Sequence, residues 1–229
     1  MAIQSNTAHN DLLDPGDTGD VEFDDPQLEN DTNLVWIWND TSTTAAVGDI
    51  ESITDTAGND YVVLAAVSAA GGLALYLGAA IGIKSFGAGN VVTFKLSASA
   101  ASGFYDSVIV EAVPCSEVLF AVNSDYGMGP QVPNASVSGT KAGEYAAMMM
   151  SDGNGTGIST LGAFGSNPAT AIYVPDPNGD EWMIQEGVAD GSDPILCTAG
   201  VSDDFWVAIV AILKESTVLA NALFYGNNF

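Results

Sequence analysis

Arginine is missing from this chain. Its four basic residues are all lysines, set against 29 aspartates and glutamates for a formal net charge of −25. Arginine is the side chain that forks onto phosphates and guanine edges, and releasing counterions from a nucleic-acid backbone takes several cations. Nucleic-acid binding is excluded on this ground, and docking on anionic membrane surfaces falls with it. Histidine is almost missing too, with His9 the one imidazole. Ser–His–Asp and Cys–His chemistry both need a positioned histidine, and a single one in a polar N-terminal stretch is a poor candidate. One histidine and two distant cysteines, Cys115 and Cys197, supply no zinc-ligand spacing. Two cysteines are also too few for a disulfide framework, so both are expected free and at least partly buried as small apolar side chains. No GxxxxGK[ST] or strand–GxGxxG–helix context offers a phosphate cradle. The opening MAIQSNTAHNDLLDPGDTGD has no basic n-region and no apolar h-region, so synthesis in a cytoplasm without a signal peptide is expected.

What the chain does have is a run of 22 residues without a charge, Val62 to Ile83. Its length suits a membrane span of about 20 residues, but Gly71-Gly72 in the middle costs a helix roughly 1 kcal/mol per glycine. No Lys/Arg cluster flanks it to fix an orientation. Leu73, Leu75 and Leu77 alternate with Ala74, Tyr76 and Gly78, which is a period of two. A buried hairpin is expected: one strand from Tyr61 to Val67, a turn over Ser68–Gly72, and a second strand from Leu73 to Ile83.

Similar apolar runs recur every ten to fifteen residues or so, separated by Gly/Asn/Asp/Pro turn chemistry. They are NLVWIWN (33–39), DIESIT (49–54), NVVTFKLSA (90–98), YDSVIVEAV (105–113), EVLFAVN (117–123), EYAAMMMSD (144–152), TAIYV (170–174), EWMIQEGVA (181–189) and DDFWVAIVAIL (203–213). No stretch is a convincing amphipathic helix, Glu215 to Phe224 being the best candidate, and no fixed-period repeat is visible. The fold class expected is all-β, an antiparallel two-sheet sandwich. Residues 1–31, acidic and turn-rich, are expected to form an arm or extended segment around a short strand at Val21–Phe23. Residues 32–229 are expected to form a single sandwich domain.

The order of these elements, together with SITDTAGNDY at Ser52 to Tyr61, resembles a broad group of jelly-roll-like β-sandwich domains. These carry an S-[VI]-T-D-[ST]-A-G-N-x-Y turn and occur in phage virion proteins and some bacterial secreted proteins. The resemblance spans about residues 30 to 214. It implies an architecture and a bias toward structural or adhesive work, and carries over no catalytic set. The residues agree with it: Ala57-Gly58-Asn59 suits a tight reversal, Asp55 can cap it, and Tyr61 starts the next strand.

Candidate sites are few. Asp176, Asn178 and Asp180 in DPNGDE alternate as calcium ligands would, but Glu181 stands where an EF-hand needs glycine and Gly187 where it needs glutamate. No other cofactor is expected. Trp36 and Trp38 share one strand face and could stack on a glycan, with core packing the commoner role for such residues. Glu111, Glu117, Glu181 and Glu186 lie on or beside strands, where solvation is the default, and a glycosidase pair among so many carboxylates would carry little signal. Ala147 to Met150 suit a core or an adaptable contact surface. The leading expectation is a non-enzymatic virion structural protein, a capsid decoration or cement protein or a tail or fibre component. Its partners would be copies of itself and other virion proteins such as a capsid or tail protein, with no nucleic acid and no membrane insertion. A carbohydrate-binding or adhesive module is the alternative, and a glycan-cleaving enzyme the third.

Overall fold

The structure, a computed structural model, describes residues 2–40, 44–69, 72–125, 131–153, 160–173, 182–199 and 205–215. The first half of the chain forms β1 (Gln4–Leu13), β2 (Thr18–Phe23), β3 (Thr32–Asn39), β4 (Ile50–Asp55), β5 (Val62–Ala69), β6 (Leu73–Ile81), β7 (Asn90–Leu96) and β8 (Gly103–Ala112). The second half forms β9 (Cys115–Asp125), β10 (Asn134–Val137), β11 (Tyr145–Asp152), β12 (Ala163–Phe164), β13 (Asn167–Pro168), β14 (Thr170–Tyr173), β15 (Trp182–Val188), β16 (Ile195–Thr198) and β17 (Trp206–Glu215). Pairing between these strands is antiparallel. A single 3-10 turn at Val47–Asp49 is the one helical element among the described residues, so none of their helices is long and apolar enough to cross a membrane. The uncharged run is the expected hairpin, with Val62 opposite Ala79 and Ala69 opposite Leu73. Gly72 takes φ +97° as the chain enters β6, a conformation glycine adopts freely. Of the candidate helix, Glu215 ends β17 and the rest lies outside the described residues.

The strands lie in four stacked sheets. A five-stranded sheet of order β1-β8-β3-β6-β5 is covered on its outer face by β2-β7-β4. Val35, Ile37, Tyr76 and Ile109 pack there against Val21, Phe23, Val92 and Phe94. A second five-stranded sheet, β14-β15-β11-β17-β9, is covered by β10-β16-β12-β13. Met148, Met150, Val210 and Ile212 meet Val137, Phe164, Ile195 and Cys197 in that layer. The two large sheets then face each other, burying Leu34, Trp36, Leu75, Leu77, Val108 and Val110 against Ala147, Met149, Trp182, Ile184, Val207 and Ile209. Covered on both faces, β3 and β11 are buried at all eight positions. This is why NLVWIWN and YAAMMMSD read as unbroken apolar runs, whereas β7, at the outside, keeps a strict alternation. The single two-sheet sandwich expected over 32–229 is therefore a double one.

The two halves repeat one topology. Written from its first strand, the second large sheet runs β9-β17-β11-β15-β14, matching β1-β8-β3-β6-β5 strand for strand. The small sheets match as well once the short β12–β13 hairpin is counted as one element, β10-β16-β12 answering to β2-β7-β4. No repeat was visible in the amino acids because what recurs is which strands are buried on both faces, and many side-chain sets satisfy that.

Residues 1–31 are not an arm. β1 pairs with β8 from Gln4↔Glu111 to Leu13↔Gly103, and β2 pairs with β7 while burying Gly19, Val21 and Phe23 on one face. QSNTAHNDLL lacks apolar periodicity because β1 is an edge strand. Its backbone ladder holds it in place, and few of its side chains need a core.

Candidate functional site

The aromatic candidates lie inside. Trp36 and Trp38 do share a face, but it is the face of β3 buried between the large sheets. A glycan-stacking platform is thus corrected to core packing. Trp38 Nε1 donates to Ser151 Oγ at 2.8 Å, and Trp182 Nε1 donates to Asp106 Oδ2 at 2.9 Å. The other oxygen of Asp106 meets His9 Nδ1 at 3.2 Å, so His9 is fixed in β1 opposite Asp106 and clasps the edge strand to the central layer. Met149 faces that layer and Met148 and Met150 the outer one, so the methionine run is core. Cys115 and Cys197 are free and buried, and burial pushes the Cys197 thiol up to about 12. Asp176, Asn178, Asp180 and Glu181 lie outside the described residues.

The Ser52–Tyr61 turn anchors a polar network that its own residues only begin. Gly58 takes φ +71°, and Asp55 Oδ1 accepts the Asn59 backbone N–H at 2.9 Å, the cap expected from the sequence. Asp55 Oδ2 accepts from Tyr61 Oη at 2.9 Å, Asn59 Nδ2 at 2.7 Å and Asn90 Nδ2 at 3.1 Å. Asn90 also donates to Gln27 Oε1. Gln27 Nε2 donates to Asn33 Oδ1 at 2.7 Å, and Asn33 Nδ2 donates to Tyr61 Oη at 2.8 Å. The chain of bonds closes on itself through Asp55, Asn90, Gln27, Asn33 and Tyr61. It ties β3, β4, β7, the β2–β3 connection and the start of β5 together, and satisfies amides that would otherwise be buried at a cost of about 1–3 kcal/mol each. Burial alone would raise Asp55, but the Asn59, Asn90 and Tyr61 donors outweigh it and hold its carboxyl below the usual range.

Beside this network lies a buried acidic pair, Asp31 and Glu111, of which Glu111 was expected on a solvated strand face. Glu111 is fully buried and Asp31 nearly so. Glu111 accepts the Leu28 N–H at 2.7 Å and the Gln4 side-chain amide, while Asp31 Oδ2 is buried without a donor. Glu186 is also buried and accepts the Ala2 backbone N–H. The default of solvation thus fails for Glu111 and Glu186 and holds for Glu117, which is exposed and lies 3.6 Å from Lys214. The partners of the two buried glutamates come from the N-terminal segment, far away in sequence, and no local pattern announces them.

Burial first, and the neighbouring Glu111 second, push Asp31 up to about 7 from 3.8. The folded chain therefore binds more protons than the unfolded chain between those values. The contribution of Asp31 is most favourable at and below the usual carboxylate range and is lost as pH rises toward 7. Asp55 acts in the opposite sense: its contribution is present above the unfolded value and lost as pH falls through its lowered one. Asp31→Asn should remove the first loss and raise stability at pH 8 by about 1–2 kcal/mol after discounting for solvent screening, or roughly 2–8 °C in Tm. Thermal melts of both chains across pH 4–8 check this, and a Tm difference that does not change with pH would refute it.

The described residues also form a concave apolar surface. Val62 and Leu64 of β5, Ala79 and Ile81 of β6 and Ser116–Val118 of β9 line a groove of about 410 Å³, with Asp60 and Glu117 also on its wall. β5 and β9 are the end strands of the two large sheets, so the groove runs where those sheets meet at one side of the stack. Val62 is 60% exposed and Ile81 46%. Phe120 and Val122, on the same face of β9 as Val118 by strand alternation, are exposed too. Comparison of the chain with protein-family models, with curated proteins and with solved structures finds no match to any of them.

Proposed function

We propose that this chain is a non-enzymatic structural protein of a virion. It would decorate or cement a capsid, or form part of a tail or fibre, through contacts with copies of itself and with a larger shell. The observation that carries this is the duplicated eight-strand unit. In each half the first, eighth, third and sixth strands in turn form the large sheet and the second, seventh and fourth face them. This order supports a jelly-roll reading, with the fifth strand moved to the sheet edge beside the sixth. Double-sheet jelly rolls are a recurrent architecture of viral capsid and lectin domains. Of these two uses, the burial of Trp36 and Trp38 takes away the feature that favoured sugar binding.

The acidic surface sets the form of the test. Exposed ion pairs are each worth about 0–1 kcal/mol, and copies carrying −25 each repel one another across any contact. Association through apolar contacts and strand edges should therefore hold or strengthen as salt is raised, since screening shortens that repulsion to about 8 Å at physiological ionic strength. Sedimentation velocity over a series of protein and salt concentrations should show oligomers favoured by salt. A monomer under all conditions that also fails to bind purified shells would sink the proposal, and oligomers dissolved by moderate salt would replace it with an electrostatic dock.

A further inference from the structure

We propose that the outer edge of β9 pairs antiparallel with the same edge of a second copy of this chain, about a twofold axis at Phe120. This deepens the reading above, on whose self-association it rests, by naming the surface. The large sheets have four end strands, β1, β5, β9 and β14, and a bare edge invites pairing with another chain unless something blunts it. β1 has a bulge between Asn10 and Leu12. Its side chains also bond to the β2 segment, Asn6 Nδ2 donating to Glu22 O at 2.7 Å and Asn10 Oδ1 accepting from Asp20 N–H at 3.2 Å. β5 has a bulge between Val63 and Ala65, and its Ser68 Oγ accepts from Ala45 N–H at 3.0 Å. β14 is four residues long and also bulged. β9 differs from all three. Its ladder to β17 is unbroken from Glu117 to Asp125, and CSEVLFAVNSD contains no lysine, proline or glycine.

The sequence of β9 is complementary to itself in one register. Gly153 N–H donates to Phe205 O at 3.1 Å, so odd-numbered residues of β17 bond to β11 and even-numbered ones to β9. Through the β17 register, the odd residues of β9 are then committed to β17. Val118, Phe120 and Val122 therefore point their backbone groups at the open edge. With Phe120 on the axis, Phe120 meets its own copy and Val118 meets Val122 on either side, for about six backbone hydrogen bonds. A stable interface carries about 10 ± 5. Glu117 then lies opposite Asn123 and Asp125 opposite Cys115, so no carboxylate faces another. Centring on Ala121 would oppose Glu117 to Asp125, and centring on Leu119 would oppose Val122 to Ser116. The chosen register also carries Val122 of the second copy to Val118, at the wall of the groove where Val62 and Ile81 are exposed. Phe120 and Val122, 43% and 44% exposed in one copy, become cross-strand apolar pairs in two.

The test is sedimentation velocity at raised salt together with cross-linking. Phe120→Asp sets two carboxylates against each other on the axis and should weaken the dimer about hundredfold or more. Leu196→Asp, at an exposed position of the outer sheet, should leave it unchanged. Phe120→Cys brings two thiols to a pair with Cα atoms about 5.5 Å apart, inside the disulfide range. Under mild oxidation it should give a disulfide-linked dimer, and Leu196→Cys should not. The thiol variant decides the matter if the aspartate impairs folding. A wild-type monomer at every concentration and salt would overturn this inference along with the self-association it rests on. Oligomers that withstand Phe120→Asp, or Phe120→Cys chains that stay unlinked within them, would overturn it alone. A dimer that behaves as expected yet leaves purified shells unbound would uphold it and remove the virion reading.

Discussion

A chain lacking residues 1–30 should fail to reach the native state. The segment supplies β1, which closes the edge of the first large sheet over ten residues, and β2, which supplies a third of the sheet that covers it. Phe23 is fully buried and Val21 nearly so, among Val35, Ile37, Val92 and Phe94. Removing a buried phenylalanine side chain alone costs about 3–5 kcal/mol. Beyond that, the polar ring would lose Gln27 itself, and Glu111 and Glu186 would lose the donors of Gln4, Leu28 and Ala2. An amide donor stripped from a buried carboxylate costs about 1–3 kcal/mol or more. Together these losses match or exceed the 5–15 kcal/mol by which a typical domain is stable. The expected product is insoluble, or compact without a cooperative melt and with strong binding of an apolar dye. Phe23→Ala in the intact chain isolates one component and should lower Tm by roughly 6–20 °C. A soluble truncated chain melting within a few degrees of the intact one would restore the arm that the composition suggests.

That contrast marks where the sequence was legible. Apolar runs and turn residues placed the hairpin of β5 and β6, the doubly buried β3, β11 and β17, and the alternating β7, each within a few residues of its observed bounds. Strands whose stability comes from neighbours were not legible. β1 is polar and held by its ladder, and β16 (ILCT) is four residues long between β10 and β12. The same division runs through the polar groups. Asp55 caps its own turn from four residues away, and that was readable. Gln27, Asn33 and Asn90, which complete the ring, come from separate segments and meet only when the sheets stack. The number of layers was hidden for a related reason. A run of apolar residues says that both faces of a strand are covered, but not whether a helix, a sheet or another copy of the chain covers them.

Separating the chain at the β8–β9 connection should leave two halves that cannot persist alone and that recover when produced together. Each half has a complete sandwich of its own, and its outer layer would survive the cut. Its large sheet, however, would present the whole central face to water: Leu34, Trp36, Leu75, Leu77, Val108 and Val110 from one half, Met149, Trp182, Ile184, Val207, Ile209 and Leu213 from the other. Burying a side chain of this size is worth about 1.5–3 kcal/mol, and a contiguous apolar face of that extent drives association or aggregation. Residues 1–113 or 114–229 expressed alone should therefore collect in the insoluble fraction, whereas co-expression should yield a soluble one-to-one complex with a single melt. Because the layer is built mainly of apolar side chains, raising salt should tighten this complex rather than release it. A half that is soluble, monomeric and cooperatively folded by itself would show that the central layer joins two independent domains rather than completing one fold.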